Sequence, residues 1–83
     1  MSATLQTITE WVRHGQKQGS THVIITCDTY DHDNYPVYVT DQQNIQKEID
    51  KILGQSMQII DEVYLMNLDV EEQLKERRAW HIE

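Results

Sequence analysis

The sequence predicts an α+β domain over residues 1–83, with helices packed on a three-stranded mixed sheet. Three observations predict it. Apolar residues recur at spacings of three and four near the start of the chain and again after Thr40, the mark of helices with one buried face. Val23, Ile24 and Ile25 are consecutive and β-branched, the mark of a strand covered on both faces and therefore central. A helical segment separates the second and third strands, which implies a right-handed crossover between parallel strands. With the first strand central, the sheet order is second–first–third, and both outer strands run antiparallel to the first.

The first helix is expected from Leu5 to about Gln18, with Leu5, Ile8, Trp11, Val12 and Gly15 on one side. Thr4 or Ser2 can cap its start. Arg13, His14 and Lys17 come late, where cations suit the helix dipole, and Gly19 is a natural stop, although Gly15 could end the helix one turn earlier. "THVIITC", Thr21 to Cys27, is the first strand, and "YPVYVT", Tyr35 to Thr40, is the second. Pro36 has no N–H to donate, which favours an edge strand or the first position of a strand. In "TDQQNIQKEIDKILG" the stripe is Ile45, Ile49, Ile52 and Leu53. Thr40 with Gln43 has capping-box spacing, and Asp41 is an alternative cap. "MQIIDEVYLM", Met57 to Met66, is the third strand. Its alternation slips at Asp61 and Glu62, which marks a bulge or an edge. Asp69 with Glu72 opens a final helix, "VEEQLKERRAWHIE", in which Glu71 and Lys75 stand four apart.

A chain of 83 residues is one small domain that buries about 60% of its unfolded surface. Its core is thin, and self-association would add to its stability. No apolar run approaches the roughly 20 residues that span a bilayer, and "MSATLQTITEW" lacks the basic and apolar segments of a secretory signal. The single cysteine, Cys27, has no partner for an internal disulfide, so a cytoplasmic location is expected. Seven Lys and Arg face fourteen Asp and Glu, giving a formal net charge of −7. That balance argues against direct nucleic-acid binding and against an anionic membrane. It steers the chain toward basic protein surfaces.

The acidic turn "CDTYDHDNYPVYV", Cys27 to Val39, is the most conspicuous feature. Asp31, Asp33 and Asn34 offer oxygen ligands of the kind hard cations take, but the calcium-loop pattern fails, because Pro36 and Gln42 stand where it needs a glycine and a glutamate. Cys27 and His32 alone are too few for a transition-metal site. Aspartate and asparagine also make turns for their own local reasons, and turns on a rigid sheet commonly carry recognition residues. Cys27 with a histidine is a conceivable nucleophile–base pair, yet a lone cysteine ending an apolar strand more often packs as a small hydrophobe. The three glycines, at 15, 19 and 54, make no phosphate loop. Tyr30 and Tyr38 are the tyrosines expected to be exposed, as contact residues.

The combination "EWV…G…THVI..CDTYD..NYPVYV" with "EVYLMNLDVEEQLKERR" resembles a family of small uncharacterised proteins that recur in bacteriophage and bacterial genomes. The resemblance covers nearly the whole chain. It implies a phage or prophage setting and the host cytoplasm, and it carries no functional residue over. Residues and resemblance together favour a small acidic, non-enzymatic, homo-oligomeric protein that engages and inhibits a host protein concerned with defence or nucleic-acid handling. The expected partner-binding residues are Asp28, Tyr30, Asp31, His32, Asp33 and Tyr38. Arg77, Arg78 and Trp80 are expected at an oligomer or ligand contact. No catalytic residue, metal or cofactor is expected. Two alternatives stand beside this reading: a binder that sequesters a nucleotide signal through the scattered cations, and a metal-dependent hydrolase using the 28–33 acidic loop.

Overall fold

A computed structural model describes residues 3–76 and 78–82, with Gln42 described by its backbone alone. The elements follow the expected order: helix α1 (Leu5–Lys17), strand β1 (His22–Asp28), strand β2 (Asp33–Val39), a 3-10 turn (Gln42–Asn44), helix α2 (Ile45–Leu53), strand β3 (Gln58–Leu65) and helix α3 (Val70–Lys75). The class is α+β and the sheet order is β2-β1-β3. The sheet is antiparallel rather than mixed, because both hydrogen-bonded pairs are antiparallel. The crossover through α2 does join two parallel strands, but β1 lies between them.

Each helix start is set by local polar chemistry. The Thr4 side chain accepts a hydrogen bond from the Thr7 N–H at the start of α1. The helix runs past Gly15 to Lys17, and Gly19 at φ +82° turns the chain away, a conformation glycine adopts without strain. Asp41, rather than the Thr40–Gln43 box, opens the next helical segment, its carboxylate accepting from the Gln43 N–H at 3.0 Å. Asp69 caps α3 by accepting from the Glu71 and Glu72 N–H groups.

The sheet is covered on both faces, as the β-branched run in β1 requires. On one face Val23, Ile25 and Tyr64 pack with Val12 of α1, Val70 of α3 and Ala79. On the other, Ile24, Val39 and Val63 pack with Ile45, Ile49 and Ile52 of α2. Burying each such side chain stabilises the fold by roughly 1.5–3 kcal/mol. The slip foreseen in β3 is a bulge: Ile25 pairs with Glu62 and Thr26 with Ile60, leaving Asp61 as the extra residue.

The last helix is shorter than its sequence pattern implies. Glu76 is extended, with ψ 147°, and the chain then returns along the outer edge of β3. The Val63 N–H donates to the Ala79 carbonyl at 2.8 Å, and the His81 N–H donates to the Val63 carbonyl at 3.0 Å. A single parallel bridge, Val63 with Trp80, thus covers backbone that an edge strand would leave open. The tail is also pinned from beneath, because the buried His22 ring donates through Nε2 to the Ile82 carbonyl at 2.7 Å. The expected Glu71–Lys75 pair does not form: Lys75 faces Glu72, and Glu71 pairs with Arg13 of α1. Among the described residues no helix is long and apolar enough to cross a membrane.

Candidate functional site at the acidic end of the sheet

β1 and β2 end together at the Asp28–Asp33 pair, and Thr29 to His32 connect them. Asp28 organises this turn. Its carboxylate accepts from the Tyr30 N–H at 2.9 Å, and its carbonyl accepts from the His32 N–H at 2.8 Å. His32 takes φ +61°, the left-handed region that histidine enters more readily than most residues. Tyr30, Asp31, His32 and Asp33 are exposed, Tyr30 at 76%. Five of the six expected partner-binding residues therefore share one end of the sheet.

Tyr38, the sixth, does not join them. It pairs with Val23 near the far end of β1 and packs half-buried against the α1 face of the core. Its ring meets His14 edge-on at 5.4 Å, and burial pushes its hydroxyl pKa up. Its position in β2 puts it on the face covered by α1, against the expectation that it is exposed. Arg78 and Trp80 lie in the C-terminal segment beside β3, where Trp80 bridges to Val63, and both are exposed. Arg77 lies outside the described residues.

The third strand brings further residues to the acidic end. The Thr29 N–H and hydroxyl both donate to the Met57 carbonyl, at 2.7 and 3.0 Å. Ile59 pairs with Cys27, and the Tyr35 hydroxyl donates to Gln58 across β1. Met57 and Ile59 are 54% and 45% exposed. The bulge aims Asp61 toward β2, where Asn34 donates to its carboxylate at 2.9 Å. Asn34 also accepts from the Ala3 N–H at 2.8 Å, which ties the start of the chain to this end. None of Tyr35, Met57, Ile59 and Asp61 is among the site residues expected from the sequence. By sequence Met57 is only the first residue of the third strand, and its bond to Thr29 spans the whole of α2, which no local pattern shows.

Charge is distributed one-sidedly. Residues 18–46 and 55–74, which hold all three strands and the acidic turn, contain no lysine or arginine. The cations sit on the helices and beyond α3. Cys27 lies within this field, and its thiol pKa is raised by burial first and then by Asp61 and Asp28. That disfavours the thiolate a nucleophile needs. His14 meets Tyr38 and His22 sits at the opposite end of β1, so neither stands beside Cys27. Among the described residues no three His, Cys, Asp or Glu side chains converge as a metal site.

Two depressions lie elsewhere. One, of about 380 Å³, opens between the end of α1 and the end of β3, beside Gln16, Ser20 and Asn67, and no lysine or arginine lines it. The other is an open groove of about 630 Å³ along α1 beside Arg13, His14 and Lys17. No family model matches the chain, and no curated protein or solved structure matches it.

Proposed function

We propose that this is a non-enzymatic binding protein, phage-encoded and acting in the host cytoplasm, that engages and inhibits a host protein through the acidic end of its sheet. The observation that carries the reading is that Asp28, Tyr30, Asp31, His32 and Asp33 stand together on a turn wired to β3, in a stretch of chain without a single cation. Such a surface repels nucleic acid and anionic lipid and attracts a basic protein face, speeding encounter and selecting against acidic partners. Tyr30 adds apolar contact area with a polar tip, at low conformational cost. The host face best matched to it is one that itself holds nucleic acid, since that face is already basic.

The nucleotide alternative has the α1 groove in its favour. Arg13 and Lys17 line it, and phosphate recognition needs such groups. Against it, Glu71 already engages Arg13, and every residue of the groove comes from one helix. Native mass spectrometry of protein taken from its producing cells separates the readings. Masses that are whole multiples of the bare chain are expected. A bound nucleotide would move the site to α1, and a bound metal ion would revive the hydrolase reading of the 28–33 loop.

A further inference from the structure

Met57 stands out by its backbone conformation. It takes φ +66°, a left-handed conformation that costs an unbranched, non-glycine residue of order 1 kcal/mol or more. The fold holds it there by giving its carbonyl two donors from Thr29. What this achieves is display: the Met57 side chain is 54% exposed beside the acidic turn, with Ile59 at 45% and Tyr30 at 76% on the same end of the sheet. Strain kept at a solvent-facing apolar residue is characteristic of binding sites. Methionine suits the role, since its flexible, polarisable chain adapts to varied apolar surfaces.

We propose that Met57 is the apolar anchor of a docking surface formed with Ile59 and Tyr30, and that the surface takes a basic, amphipathic protein segment. The inference rests on the binding reading above and names the chemistry of the partner. Charge complementarity selects the occupant. Asp28 pairs with Gln58, between Met57 and Ile59, Asp61 lies two residues beyond Ile59 on β3, and Asp31 and Asp33 belong to the turn that Asp28 opens; neither that turn nor β3 carries a lysine or arginine. A second copy of this chain would bring the same acids to the contact. A segment with arginines flanking leucines would seat its apolar residues on Met57 and Ile59 and its cations on the aspartates. Its guanidinium groups can also stack on Tyr30.

The substitution Met57→Gly makes the test clean. Glycine relieves the left-handed strain and keeps the backbone carbonyl that Thr29 needs, so the variant should be as stable as the parent or more so. The probe is a synthetic peptide alternating arginine and leucine, with an arginine-only peptide of equal charge as control. Binding is followed by amide chemical shifts and by titration calorimetry. The expected result is preference for the amphipathic peptide, shifts centred on residues 28–33 and 57–61, and about tenfold weaker binding by Met57→Gly. No binding of the amphipathic peptide, or equal binding by Met57→Gly, would overturn the proposal. The double variant Asp31→Asn/Asp33→Asn separates the two claims. If it loses binding while Met57→Gly does not, the acidic-turn reading survives and the anchor fails. If neither variant matters, both fail.

Discussion

Thr29 and Met57 are locked together: the N–H and the hydroxyl of one both donate to the single carbonyl of the other. The contact fastens the β1–β2 turn to the start of β3, so the acidic end behaves as one piece. Replacing Thr29 by Val keeps the backbone bond and removes the hydroxyl bond. A loss of about 1 kcal/mol in urea unfolding is expected, with faster hydrogen exchange at Thr29 and Tyr30 than at Ile24.

Gly15 is where α1 lies closest to the sheet. A methyl group added there would run into the Val23 side chain and touch Tyr38 at 3.4 Å. Val23 is fully buried in the core beneath α1. Alanine is the better helix former by about 1 kcal/mol, yet overpacking costs typically 1–3 kcal/mol. Gly15→Ala should therefore leave stability unchanged or lower it by up to about 2 kcal/mol, and denaturation midpoints read the outcome.

Gln73 completes the sheet from a helix. Its side chain is buried, with the carbonyl accepting from the Leu65 N–H at 2.7 Å and the amide donating to the Leu65 carbonyl at 2.8 Å. Gln73→Ala would leave both backbone groups buried and unpaired, at a cost of about 2–3 kcal/mol. Chemical denaturation gives the loss, and exchange at the Leu65 amide should rise with it.

Thr26 offers the opposite case. It is fully buried, and its hydroxyl has no hydrogen-bond partner among the described residues. Thr26→Val keeps the shape and removes the stranded polar atom. Stability should rise by about 1 kcal/mol, measured by the same unfolding experiment.

Glu62 gives the fold a pH signature. Burial raises its pKa first, while the Tyr64 hydroxyl, the Ala79 N–H and Arg78 pull it partly back. A carboxyl held above its unfolded value binds its proton more tightly in the folded state. Its contribution is complete below the unfolded pKa and is lost as pH rises through the folded one. Urea midpoints measured from about pH 4 to pH 7 should fall more in the parent than in Glu62→Gln. Parallel curves would remove Glu62 as the source.

These features differ in how far the sequence announces them. The run Val23–Ile25, the proline at 36 and the slip at Asp61 are local patterns, and each became a central strand, an outer strand and a bulge. The end of α3 was not legible, because the sequence after Lys75 keeps helical composition while Val63 and His22, distant in sequence, supply the partners of Ala79, His81 and Ile82. Met57 was missed for a related reason. No residue preference marks a methionine for φ +66°; the Thr29 donors impose it. The five turn residues read from sequence do meet at one end, since they are consecutive or nearly so. Tyr38 belonged with them by composition only, and strand direction carried it away.

The most direct test of the central claim is quantitative capture from host lysate by the parent chain and by Asp31→Asn/Asp33→Asn, across a salt gradient. A charge change on α3, Glu72→Gln, serves as control. The account predicts that the parent and the control retain the same host protein, that salt releases it, and that the double variant fails to retain it while unfolding at the parent's midpoint. Equal retention by all three chains would contradict the account and place the contact elsewhere on the molecule.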